Sequence, residues 1–96
     1  MGRKLENDEL GAEAVVPSPF TGKHWDAYQL AMTNHRQYGR ISQSYHGALA
    51  IIESGHYRLD NGDLANIDED APLGVLAWLG NVVAEYIADM LELSKN

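Results

Sequence analysis

With no cysteine in the chain, histidine, serine and carboxylate side chains are the main candidates for chemistry. Disulfides, thiolate metal sites and a cysteine nucleophile are thereby excluded. His24 and His35 are eleven residues apart on one predicted helix. At ~1.5 Å per residue they stand about 16 Å from each other, too far to share a metal. His46 and His56 are ten apart and equally unsuited. No H-x₃-H pair exists, so the helical zinc spacing is absent. A site joining histidines from different helices stays open, because spacing along one helix does not test it. The acids Asp60, Asp63, Asp68, Glu69 and Asp70 invite a calcium reading. An EF-hand loop needs acids at alternate positions, then Gly, then a distal Glu. Counting from Asp63, the third and fifth residues are Ala65 and Ile67; counting from Asp60, the sixth is Ala65 and not Gly. A turn followed by a charged helix start explains these acids without a metal. Ser42, Ser44 and Ser54 lack any G-x-S-x-G context, and helix capping explains the first two. The expectation is no catalytic residue, no metal and no cofactor.

The elements around these groups follow from apolar periodicity. Ala71–Leu93 reads as one amphipathic helix, with Asp68, Glu69 and Asp70 before it and Pro72 in its first turn. Leu76, Leu79, Val83, Tyr86, Ile87 and Met90 share one face at roughly 100° per residue, and Asn81, Glu85, Asp89 and Glu92 the opposite one. Thr21 is placed to cap a helix over Gly22–Tyr38 that stops at Gly39. Ser42 or Ser44 caps a second helix ending near Gly55–Tyr57, in which Gly47 implies a close neighbour. Arg58–Asp70 is a connection, with a turn at Asp60-Asn61-Gly62-Asp63 and a short helical turn ending at Asn66. Ala14–Phe20 is an extended strap with Val16 and Phe20 on the core, and its two prolines forbid a central strand. Residues 1–13 are charged and read as a flexible tail, and 94–96 as a frayed end. The predicted fold is all-α, a single helical domain over residues 1–96: a small bundle of three main helices with an extended N-terminal strap.

The net charge of −7 argues against a nucleic-acid surface, which needs clustered Lys and Arg. Glu85, Asp89 and Glu92 argue against a membrane span in the C-terminal helix, and the first twenty residues lack the apolar core of a secretory signal. The expected location is the cytoplasm.

Trp78 falls in the polar sector of the C-terminal helix. It is either covered by the strap or the first helix, or it is an interface anchor. The candidate partner-binding residues are Trp78, Asn81, Glu85 and Asp89. Ala77, Gly80, Ala84 and Ala88 form a small-residue strip that admits another helix, the protein's own first helix or a partner's.

The stretches P-S-P-F-T-G-K-H-W-D-A-Y at Pro17–Tyr28 and D-A-P-L-G-V-L-A-W-L-G-N-V-V-A-E-Y-I at Asp70–Ile87 resemble the small tail assembly chaperones of long-tailed bacteriophages. That resemblance implies a small helical bundle, a non-catalytic role in the host cytoplasm, and partners among the tape-measure protein and tail-tube subunits, with homo-oligomers possible. The alternative from size and acidity is a phage or plasmid inhibitor that binds and blocks a host protein.

Overall fold

The computed structural model describes residues 2–94. In chain order it runs β1 (Gly2–Asn7), β2 (Ala12–Pro17), α1 (Gly22–Asn34), one 3₁₀ turn (Arg36–Tyr38), α2 (Arg40–Ile51), β3 (Ser54–Arg58), β4 (Leu64–Asn66) and α3 (Leu73–Ser94). The strands form one antiparallel sheet of four in the order β1-β2-β3-β4. The architecture is therefore mixed α/β, and the expected all-α bundle is overturned. The strands escaped periodicity because they bury small residues. β2 packs Ala12, Ala14 and Val16 inward, while β1 carries one large apolar residue, Leu5.

Residues 2–13, expected as a flexible tail, form β1, the following turn and the start of β2. Asn7 Oδ1 accepts the Leu10 N–H at 3.0 Å, and Gly11 closes the turn at φ 60°. A Cβ on Gly11 would stand 2.9 Å from Arg58 Cβ, so the tight turn and the neighbouring strand both require glycine. The strap is also a correction: β2 is a central strand, paired with β1 on one side and β3 on the other. Pro17 sits at its end, beyond the Ala12–Val15 stretch that pairs with β3, so its missing N–H interrupts no bond there. α2 is capped by Gly39 rather than by a serine and ends at Ile51. The residues expected to finish it form β3. The turn at residues 60–63 joins β3 to β4, with Gly62 at φ 91° and Leu59 N–H donating to Asp63 O at 2.7 Å. Leu64–Asn66 is a strand and not a helical turn.

α3 packs on β2, α2 packs on α3, and α1 packs on α2. Leu79 and Val83 of α3 are 0% exposed and Leu76, Tyr86 and Ile87 are buried, as the stripe predicts. By length and composition Leu73–Glu92 is apolar enough to cross a membrane, but here its stripe packs on α2 and β2. Gly80 is where α3 meets α2: a Cβ there would lie 3.0 Å from both the Ser44 carbonyl carbon and the Tyr45 nitrogen. The small-residue strip is thus used at Gly80 by the protein's second helix, while Ala84 and Ala88 stay exposed. Gly47 is crowded by the side chains of Tyr28 and Met32. Ser94 is the last residue of α3, and Lys95 and Asn96 of the expected frayed end lie outside the described residues.

Candidate functional site

α1 stops at Asn34, and one 3₁₀ turn and Gly39 reverse the chain into α2. This corner brings together two histidines from different helices, His35 at the C-cap of α1 and His46 within α2. His35 and His46 stack with ring centroids 3.5 Å apart and planes 7° from parallel. Tyr45 extends the stack on one side at 4.4 Å, and Tyr38 lies 6.1 Å from His35. With Ile41, Ser42, Glu69 and Leu73 these rings line a groove of about 570 Å³. Its far wall is the approach to α3, which supplies Glu69 and Leu73.

The hydrogen bonds settle the ring tautomers. His35 Nδ1 lies 2.8 Å from Ala31 O, and His46 Nδ1 lies 2.8 Å from Ser42 O. A carbonyl oxygen only accepts, so each Nδ1 carries its proton and each Nε2 is the free position. His46 Nε2 lies 3.5 Å from Glu69 Oε1, a distance at which protonated His46 forms an ion pair. Glu69 is well exposed, so that pair is weak by itself.

The same geometry limits the chemistry. Ser42 Oγ lies 3.2 Å from His46 Nδ1, which places Ser42, His46 and Glu69 in the order of a nucleophile triad. Nδ1 already holds a proton for Ser42 O and has no lone pair to take one from Oγ, so the serine has no base. The two rings lie in nearly parallel planes with centroids 3.5 Å apart, whereas a shared zinc should lie about 2.0–2.1 Å from both nitrogens and close to both ring planes. Among the described residues no group of three or more His, Cys, Asp or Glu side chains is placed to hold a metal. The remaining histidines have other partners: Thr21 N–H donates to His24 Nδ1 at 3.0 Å in the α1 cap, and His56 lies opposite Glu13 and Asn66 in the sheet.

The groove does have exposed apolar surface. Tyr38 is 67% exposed, Ile41 54% and Leu73 61%, and all three line it. Sequence reasoning did not find this site, because spacing was tested within each helix and the pair forms across the corner. The available signal was the Tyr-Gly-Arg at 38–40, which ends one helix and begins the next.

The predicted partner site lies elsewhere. Trp78 is half-buried and packs against the core cluster, and Asn81, Glu85 and Asp89 are exposed. Glu85 and Asp89, with Val82 and Tyr86, face Arg3, Lys4, Leu5 and Glu6 of β1 across a shallow groove of about 260 Å³. The Arg3 guanidinium lies over the Tyr86 ring at 5.4 Å, and Tyr86 Oη donates to Pro17 O at 2.7 Å. The predicted acids thus share their surroundings with the chain's own cations. Asn81 and Trp78 do not line that groove.

Compared with protein-family models, curated proteins and solved structures, the chain matches none of them.

Proposed function

We propose that this chain is a non-catalytic binding protein that works in the cytoplasm and holds a protein partner in the histidine groove. The observation behind this reading is the exposure of Tyr38, Ile41 and Leu73 around one concavity. Single exposed apolar side chains are ordinary, but three lining one groove form a patch that gains about 25 cal/mol per Å² when covered. Stacked rings with their Nδ1 protons already committed give that patch a stiff floor, which lowers the ordering cost of binding. A net charge of −7 favours a basic partner and faster association at low salt. The resemblance at Pro17–Tyr28 and Asp70–Ile87 suggests the specific role of a tail assembly chaperone, with the tape-measure protein or tail-tube subunits as partner. The sheet removes the helical-bundle part of that resemblance, so this assignment rests on the two stretches alone.

The test is co-purification with a co-expressed tape-measure fragment. Ile41→Asp combined with Leu73→Asp should keep the melting temperature and reduce the retained fragment at least about tenfold. Retention unchanged by that variant but lost in Asn81→Ala/Glu85→Ala moves the binding face to α3. A wild-type chain that retains no fragment removes the tape-measure assignment.

A further inference from the structure

We propose that the β1 edge pairs with β1 of a second copy, joining two four-stranded sheets into one. The surface differs from the histidine groove, and the inference is independent of the function proposed above.

Among the described residues β1 has a neighbouring strand on one side only. Val15 turns its carbonyl away from β1, toward Glu53 N at 2.8 Å. Lys4 faces Val15, so this is a pair without mutual hydrogen bonds, and Lys4 turns its own N–H and C=O outward. By the two-residue alternation Gly2 and Glu6 do the same. These groups form a ladder lacking its other half among the described residues, and an edge of this kind accepts a strand.

The identity of that strand follows from the side chains. Charged residues usually guard an edge by repelling newcomers. Here the two signs alternate about a centre. In an antiparallel pairing with Leu5 opposite Leu5 of the second copy, each Lys4 stands directly opposite the other copy's Glu6. The outward backbone groups of Lys4 and Glu6 make these the closely hydrogen-bonded positions. Both side chains lie on the solvent face, where opposite charges attract across strands. The edge is therefore complementary to itself. Inside the chain Lys4 Nζ already lies 3.4 Å from Glu6 Oε1 and 3.1 Å from Glu13 Oε2, so it stands among carboxylates on this face.

In this register the ladder spans only Arg3–Asn7 of the six-residue strand, which is small for a stable interface, and α3 adds to it. Val82, Glu85 and Asp89 run beside β1, and helix periodicity puts Trp78 at the head of the same row. The half-buried Leu5 on the twofold axis would meet its own copy on the side of the sheet that faces α3.

Sedimentation equilibrium of the purified chain reads the outcome. The wild type should weigh twice the 10.6 kDa chain. Lys4→Glu and Glu6→Lys, each alone, place like charges opposite one another twice and should weaken association about tenfold or more. An equimolar mixture of the two variants restores both opposite-charge pairs and should recover the dimer. That recovery separates pairing from folding, since each chain is unchanged by mixing. Amide exchange in the wild type is the second reading: Lys4 and Glu6 should exchange more slowly as protein concentration rises. A monomeric wild type overturns the proposal. So do variants that remain dimers, a mixture that stays monomeric, or exchange independent of concentration.

Discussion

The histidine groove and the β1–α3 flank are two exposed regions built on the same core, and they present different unmet needs. In the groove the polar atoms are largely provided for. Each imidazole Nδ1 donates to the carbonyl four residues back, and what remains in water is apolar: Tyr38, Ile41 and Leu73. On the solvent face of β1 the Lys4 and Glu6 side chains are paired, and what remains is backbone. A surface of the first kind selects by shape and apolar area. One of the second kind selects by register, because an added strand must match the ladder residue by residue. One small domain can thus offer two interfaces that do not compete for residues, and α3 serves both, through Leu73 at one end and the Val82–Asp89 row further along.

The largest effect should come from breaking what both regions share. Leu79 is 0% exposed, and Leu79→Ala should cost about 2–5 kcal/mol in urea unfolding. A loss below about 0.5 kcal/mol would mean that the core does not hold α3 in this orientation. Trp78→Ala sharpens the flank. An indole half-buried against the core should cost roughly 2 kcal/mol, below the ~3–5 kcal/mol of a fully buried aromatic. A negligible loss would assign the side chain wholly to a partner.

Gly80→Ala separates the two regions. The added Cβ meets the α2 backbone at 3.0 Å, which should cost about 1–3 kcal/mol, offset by about 1 kcal/mol of helix propensity. It pushes α2 from α3 and should widen the His46–Glu69 distance while leaving β1 unchanged. Shift changes in the nuclear magnetic resonance spectrum confined to β1 would contradict that coupling. Glu69→Gln should change stability by less than about 0.5 kcal/mol in urea unfolding, since the carboxylate is exposed. A larger loss would show that Glu69 contributes more than one exposed ion pair.

The smallest effect is electrostatic. Glu13 first, and then Glu6, raise the Lys4 ammonium above its ordinary 10.5. Because the folded value is the higher one, this contribution is intact below 10.5 and is lost as pH rises through the folded value. Glu13→Gln should lower the Lys4 titration midpoint seen by its Cε resonance, and an unmoved midpoint would refute the Glu13 pairing.

The sequence by itself determined α3 and its buried stripe, the Thr21 cap and the turn at residues 60–63. Each is a local signal: a 3.6-residue period, a capping oxygen, a glycine at positive φ. Tertiary structure alone decided the sheet. GRKLEN carries no strand signal of its own, and its hydrogen bonds and the burial of Leu5 come from β2, which in turn needs β3 from beyond two helices. Tertiary structure also decided the histidine pair. His35 and His46 read as unrelated helical positions, and they meet only because Gly39 folds α1 back toward α2. Periodicity reports which face of one element is apolar; it cannot report which faces of two elements are brought together.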